Sequence, residues 1–123
     1  MHIFKTRQFD RWASKEGVAD PVLATAVAEL ECGLVDADLG GHVVKKRVAL
    51  PGRGKRGGAR TLLAYRLGDR AFFVYGFAKS ERDNIDEKEL KALKQLALSL
   101  LGWTSEQLAH ALREGKLIKV NHD

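Results

Sequence analysis

The chain has 123 residues, of which 45% are hydrophobic and 30% are charged, and this is the size and composition of one globular domain. It lacks the low hydrophobic content of disordered chains, and no apolar run is long enough to cross a membrane. The N-terminal residues carry charges where a signal peptide needs an apolar run, so we expect one domain over residues 1–123 and a cytoplasmic location. A single cysteine, Cys32, excludes an intramolecular disulfide and a cysteine-rich zinc site.

The charge is distributed unevenly along the chain. The formal net charge is +5, but residues 42–82 carry +9 and the remainder carries −4. This separation predicts a surface that binds a polyanion, and nucleic acid is the first candidate. The alternative is a solvated basic surface that only keeps the protein soluble.

The first predicted elements are a short strand at residues 2–6 and two helices. Residues 9–13 place apolar side chains at helical spacing, and Gly17 ends this helix. Asp20 is predicted to cap a second helix, in which Pro21 takes the first position.

The middle of the chain has the residue composition of strands and the last third that of helices. Three strands joined by short connections predict an antiparallel meander, at residues 43–50, 61–67 and 71–79. Two capping signatures, Asp86 with Glu89 and Thr104 with Gln107, each predict the start of a helix, and residues 116–120 can add a short strand. The predicted fold class is α+β, a small antiparallel sheet with helices packed on one face and the other face free for a ligand.

The glycine-rich segment at residues 52–57 matches GxGxxG but lacks the context of a nucleotide-binding loop. A dinucleotide fingerprint opens a helix, whereas a strand follows here, and no Ser or Thr follows the lysine as a Walker A motif requires. We interpret the segment as a flexible connector whose cations, Arg53, Lys55 and Arg56, can follow a phosphate backbone. The alternative is a surface loop without a ligand.

The alternation of the predicted strands groups several cations. Lys45 and Arg47 share one face of their strand, while Lys46 shares the other face with the apolar Val44 and Val48. The parity of the next two strands does not decide which of their faces is buried. A sheet that carries several cations and two tyrosines can bind phosphates and stack bases, although cations on an ordinary solvent face are the simpler alternative.

Conventional catalytic constellations are absent from the sequence. The four histidines show no metal-ligand spacing, so neither a metal site nor a cofactor is predicted. Chemistry based on Lys, Arg and Tyr suits RNA cleavage, in which the 2′-hydroxyl attacks phosphorus. That reaction needs a base, a proton donor for the leaving oxygen, and cations for the charge of the transition state.

Two segments resemble a known family. The run GGHVVKKRVALPGRGKRGGARTLLAYR followed by FVYGFAKSERDNI is similar to the RelE-type toxins of bacterial type II toxin–antitoxin modules, in the RelE/ParE superfamily. The resemblance covers nearly the whole chain in element order. It implies a microbial-ribonuclease-like fold and, for the RelE branch, cleavage of mRNA in the ribosomal A site, which inhibits translation. It also implies a small antitoxin partner, often a helix-turn-helix protein.

The resemblance also implies roles for individual residues. Lys45 is the candidate base or proton shuttle, Arg47 and Arg60 stabilise the charge of the transition state, and Lys79 contacts phosphate or assists as an acid. Many RelE-type enzymes have an active-site tyrosine or histidine near the C-terminus, where this chain offers His122 and Lys119, so the general base is left open. The predicted RNA contacts are Lys46, Arg53, Lys55, Arg56, Tyr65, Arg66, Tyr75 and Arg82.

Two alternatives to a nuclease remain open from the sequence. The ParE branch has a similar fold but inhibits DNA gyrase through protein contacts, without chemistry of its own. An inactive relative would use the basic surface only to bind its antitoxin. The density of cations on the middle strands favours the nuclease.

Overall fold

The computed structural model describes residues 1–52 and 54–121, with the backbone alone at residues 54–57. Within these ranges the chain forms six strands and four helices. The strands are β1 (His2–Thr6), β2 (Ala37–Asp38), β3 (Val43–Leu50), β4 (Gly54–Tyr65), β5 (Arg70–Ala78) and β6 (Leu117–Lys119), and the helices are α1 (Arg7–Glu16), α2 (Asp20–Glu31), α3 (Glu87–Leu101) and α4 (Ser105–Arg113).

All six strands join one sheet, in the spatial order β2-β3-β4-β5-β1-β6. Every pairing is antiparallel except that of β1 with β5. The predicted meander is confirmed as β3, β4 and β5, and the α+β class is confirmed with it. Of the helices in the described ranges, none is long and apolar enough to cross a membrane.

The helices cover both faces of this sheet, which corrects the prediction that they pack on one face only. α1 and α2 lie on one face, where Phe9 and Leu23 are buried in the same cluster as Phe73. α3 and α4 lie on the opposite face, where Leu100 is buried in the same cluster as Phe72.

The reason lies in the two central strands, which are apolar on both faces. Leu62 and Leu63 are neighbours on β4 and point to opposite sides, yet neither is exposed to solvent. Phe72 and Phe73 repeat this arrangement on β5. A strand that is apolar on both faces needs cover on both, and the two helix pairs supply it to β4 and β5.

Both predicted capping boxes are present. Asp86 accepts a hydrogen bond from Glu89 N at 2.8 Å, and Thr104 accepts one from Gln107 N at 3.1 Å. The predicted cap of α2 is wrong, because Ala19 holds the capping position and makes no side-chain bond there.

The Asp20 carboxylate instead ties three parts of the chain together. It accepts hydrogen bonds from the Lys5 ammonium at 2.8 Å and from Asn121 N at 2.9 Å, and Lys5 also pairs with Asp10 at 2.9 Å. Burial acts to raise the pKa of Asp20, but the bonds from Lys5 and Asn121 outweigh it and lower the pKa below its usual 3.8. Burial likewise acts to lower the pKa of Lys5, and the two carboxylates outweigh it and raise the pKa.

Asp20→Asn is expected to destabilise the protein in a pH-dependent way. A carboxyl group with a lowered folded-state pKa contributes stability above its unfolded pKa and loses that contribution as the pH falls through the folded value. The loss of a charged hydrogen bond should cost about 1.5–3 kcal/mol at neutral pH. Urea unfolding should show a constant gap between wild type and variant from pH 7 to about pH 5, which narrows below about pH 4. A gap that widens on acidification contradicts this account.

Gly76→Ala is expected to destabilise the protein by about 1–3 kcal/mol, the usual cost of overpacking a core. A Cβ at Gly76 would overlap the indole of Trp12, which packs over β5 from α1. Thermal unfolding in a double-mutant cycle measures the effect. The cost should largely vanish in a Trp12→Leu background, and an equal cost in both backgrounds would show that the indole is not its cause.

Candidate functional site

The register of β3, β4 and β5 brings three predicted cations together. Arg47 lies opposite Arg60 on the adjacent strand, and Lys45 lies two residues from Arg47 on the same side of β3. We call Lys45, Arg47 and Arg60 the basic cluster. It lies on the sheet face that carries α3.

Two aromatic residues of β5 join the basic cluster. Tyr75 lies opposite Leu62, which itself lies opposite Lys45, and Phe77 lies opposite Arg60. The pairing shifts by one residue between Leu62 and Leu63, so Val74 has no partner on β4. This irregularity turns Tyr75 and Phe77 to the face of the basic cluster.

Arg60 is the most deeply buried member of the cluster. Its exposed fraction is 8%, and its NH1 atom is buried with no hydrogen-bond acceptor in the described part of the chain. A guanidinium in this state, directly opposite a second arginine, costs free energy in the isolated protein. Buried polar atoms without a partner are rare in folded proteins, and the described residues hold one other, the Tyr65 hydroxyl on the opposite face of the sheet. What distinguishes the Arg60 NH1 atom is its position among the other cations of the basic cluster.

The other cations differ in how firmly they are held. Asp36, which the sequence analysis did not single out, accepts a hydrogen bond from Arg47 N at 2.7 Å and lies 3.8 Å from the Arg47 Nε atom. Lys45 is half-buried, and none of the described hydrogen bonds or ion pairs involves its ammonium group. Lys79 is exposed just after β5, and its N–H donates to Gly58 O at 3.1 Å, which places it two residues beyond the Arg60 and Phe77 pair.

A second set of polar residues borders the cluster where α3 begins. Arg82 pairs with both carboxylate oxygens of Glu89, at 2.7 and 3.1 Å, and donates to the Tyr75 hydroxyl at 3.1 Å. The Tyr75 hydroxyl lies 3.3 Å from Glu89 Oε2, and the Arg82 guanidinium lies 5.7 Å from the centre of the Phe77 ring. The bonds from Arg82 and from Asp86 N lower the pKa of Glu89 to about 2, so Glu89 is ionised at neutral pH.

Three predicted RNA contacts lie away from this surface. Lys46 is 5% exposed on the α2 face, where its ammonium pairs with Glu29 at 2.9 Å and donates to Leu34 O at 3.0 Å. Tyr65 is buried on that same face, and burial together with the charge of Glu31 raises the pKa of its hydroxyl. Arg66 lies at the opposite end of β4, next to the turn, where it pairs with Asp69 at 3.3 Å.

The glycine-rich segment differs from the predicted connector. Its backbone from Gly54 onward belongs to β4, and Gly54 lies opposite Leu50 of β3. Arg53 and the side chains of Lys55 and Arg56 lie outside the described residues, as does His122. Lys119 is exposed on β6 at the far edge of the sheet, remote from the basic cluster in strand order.

The comparison with protein families decides the assignment. The family model for the RelE toxin of the RelE/RelB toxin–antitoxin system matches residues 1–120. The chain belongs to the RelE toxin family. No curated protein matches the sequence. As a RelE-family member the chain is the toxin of a toxin–antitoxin module and has an antitoxin partner, and RelE-family toxins generally cleave mRNA and inhibit translation.

Within the described residues, no group of three or more His, Cys, Asp or Glu side chains is arranged to hold a metal ion. The polar residues that the RelE-family chain does gather on one face are the basic cluster and the Arg82, Glu89 and Tyr75 set. Sequence reasoning missed two acidic residues here: Asp36, which contacts Arg47, and Glu89. Glu89 was visible only as half of a capping box, and nothing in its spacing indicates contact with Tyr75.

Proposed function

We propose that this RelE-family toxin is a ribosome-dependent endoribonuclease that cleaves mRNA in the ribosomal A site by attack of the 2′-hydroxyl on phosphorus. The observation that supports this proposal most strongly is the unpaired, buried NH1 atom of Arg60 inside the basic cluster. RNA binding that shifts the residues covering Arg60 would bring a phosphate oxygen to this atom as its missing acceptor. The Arg60 guanidinium would then be desolvated and paired, the state in which it stabilises negative charge most strongly.

The proposed chemistry assigns one role to each cation. Lys45, as the neutral amine, takes the proton from the 2′-hydroxyl or passes it on, and no described hydrogen bond or ion pair to an acidic partner holds it in the ammonium form. Arg47 and Arg60 stabilise the charge on the phosphorus oxygens as the bond to the 5′-oxygen breaks. Lys79 contacts an adjacent phosphate or assists the departure of the 5′-oxygen as an acid.

The aromatic residues supply the second part of an RNA-binding surface. Tyr75 is half-buried at the edge of the cluster and lies two strands from Lys45, a lateral distance of about 10 Å between their Cα atoms. A nucleotide that places its phosphate on the basic cluster can stack its base on an aromatic ring at this distance. The proposed partners on this surface are mRNA and the ribosomal A site. From the resemblance to RelE-type toxins, we propose a small helix-turn-helix protein as the antitoxin.

Expression of the toxin in cells without its antitoxin tests this function. Mapping of transcript 5′ ends should reveal new ends within translated regions soon after induction, and blocking translation should remove them. If growth stops without new ends while DNA supercoiling changes, the toxin acts as a gyrase inhibitor of the ParE kind. If growth continues although the purified chain still binds its antitoxin, the chain is an inactive relative.

A further inference from the structure

We propose that Glu89 is a positioning residue of the cleavage face, which fixes the Tyr75 ring beside the basic cluster so that a stacked base holds the scissile phosphate in line for attack. This inference rests on the proposed nuclease function. The sequence indicates Glu89 only as part of a helix cap. Here its carboxylate is a necessary part of a surface that binds a polyanion.

The Glu89 carboxylate is held by donors from three directions. Oε1 accepts from Arg82 NH2 at 2.7 Å and from Asp86 N at 3.0 Å, while Oε2 accepts from Arg82 NH1 at 3.1 Å and from the Tyr75 hydroxyl at 3.3 Å. The bond from Asp86 N belongs to the capping box at the start of α3, so the carboxylate is fixed to the helix end. Tyr75 is therefore linked to α3 as well as to its own strand.

Most of the N–H groups of Arg82 bond to acceptors within the protein rather than remaining free for RNA. Its Nε atom donates to Asn84 O at 2.9 Å, NH1 donates to Tyr75 and Glu89, and NH2 donates to Glu89. A guanidinium has five N–H groups, so these bonds leave at most one of them for a phosphate. Arg82 thus holds Tyr75 and Glu89 in place, and its guanidinium covers the face of Phe77 beside Arg60.

A permanent negative charge on this surface must weaken the attraction for RNA. Glu89 remains ionised at neutral pH because its pKa is about 2. If the carboxylate only opposed RNA, its neutralisation would improve both binding and cleavage. If it positions Tyr75, neutralisation will leave binding equal or tighter while it slows cleavage, and this opposition of effects is the signature of the proposed role.

Glu89→Gln is the informative variant. Glutamine also forms capping boxes, so the start of α3 is preserved while the charge that holds Arg82 and Tyr75 is lost. Glu87→Gln is the matched control, because it removes the same charge from the first turn of the same helix, and Glu87 is exposed with no described contact to Tyr75 or Arg82. Tyr75→Phe keeps the ring but removes the hydroxyl bond to Glu89.

The measurement is single-turnover cleavage of mRNA on programmed ribosomes, over a range of ribosome concentrations, with the antitoxin-free toxin. We expect Glu89→Gln to lower the rate at saturation by about tenfold or more, since small misplacements of a reacting group have effects of this size. The half-saturating concentration should be unchanged or lower. Tyr75→Phe should show a smaller loss of rate in the same direction, and Glu87→Gln should keep the wild-type rate.

Two results would overturn the inference while the nuclease stands. The first is cleavage by Glu89→Gln at the wild-type rate. The second is a lower cleavage rate in Glu89→Gln that Glu87→Gln shows as well, or that goes with a fall in the melting temperature of Glu89→Gln. If the wild-type toxin itself leaves programmed messages intact, the proposed function fails, and this inference fails with it. NMR signals of the two tyrosines separate a positioning defect from unfolding, because Tyr75 should broaden or shift in Glu89→Gln while the buried Tyr65 stays unchanged.

Discussion

Arg60→Met is expected to abolish mRNA cleavage and, at the same time, to make the protein more stable. The loss of one preorganised donor to a developing negative charge typically lowers a rate by about 10²–10³. Stability should rise because methionine fills a similar space without an uncompensated charge, and replacements of buried ionic groups by apolar ones are neutral or stabilising by about 1–4 kcal/mol. Arg60 fits this description, being 8% exposed with a buried NH1 that no described acceptor contacts.

Urea unfolding and single-turnover cleavage measure the two effects on one preparation. Arg66→Met is the control, because it makes the same change on the exposed arginine that follows β4, remote from the basic cluster and paired with Asp69. Arg66→Met should alter neither the stability in urea nor the cleavage rate substantially. A fall in both stability and activity for Arg60→Met would identify Arg60 as a structural residue and would remove the main support for the active-site assignment.

The neighbouring residues Lys45 and Lys46 should give opposite results when each is changed to alanine. Lys45→Ala removes the candidate proton carrier from the half-buried surface, so cleavage should fall by about 10²–10⁴ with little loss of stability. Lys46→Ala removes a buried ammonium from Glu29 and leaves the Leu34 carbonyl without its donor, which should cost about 1–3 kcal/mol. The folded fraction of that variant should still cleave.

Toxicity in cells, melting temperature and antitoxin binding distinguish the two lysines. Lys45→Ala should be harmless to growth while it retains antitoxin binding and a melting temperature near that of the wild type. Lys46→Ala should melt earlier and remain toxic at a temperature where it is folded. Equal behaviour of the two variants would mean that the two sides of β3 do not have separate roles.

The alternation of β3 could be predicted from the sequence because it is a local property. Val44 and Val48 are buried on the α2 face, as their spacing indicates, and Lys46 is the polar residue between them. The partner that makes its burial tolerable, Glu29, lies on α2 and is far away in sequence. Periodicity identifies which residues share a face, but it does not supply the long-range partner of a buried charge.

The composition of the site was harder to predict, for a related reason. Strict alternation groups Phe73 with Tyr75 and Phe77, whereas the irregular pairing at Val74 places Phe73 in the core under α1 and turns the other two toward the basic cluster. Tyr65 has the residue type for base stacking but lies in the core of the α2 face. Asp36, just before β2, and Glu89, on α3, reach the site through tertiary packing, which a single sequence does not encode in its spacing.

The most direct test of the central claim is the chemistry of cleavage on programmed ribosomes. Purified wild-type toxin should cut the message in the A site and leave a 2′,3′-cyclic phosphate or its hydrolysis product on one fragment and a 5′-hydroxyl on the other, as attack by the 2′-hydroxyl requires. Arg60→Met, folded and at least as stable, should leave the message intact. An intact message with the wild-type toxin, or equal cleavage by the wild type and Arg60→Met, would contradict the assignment of this face as the active site.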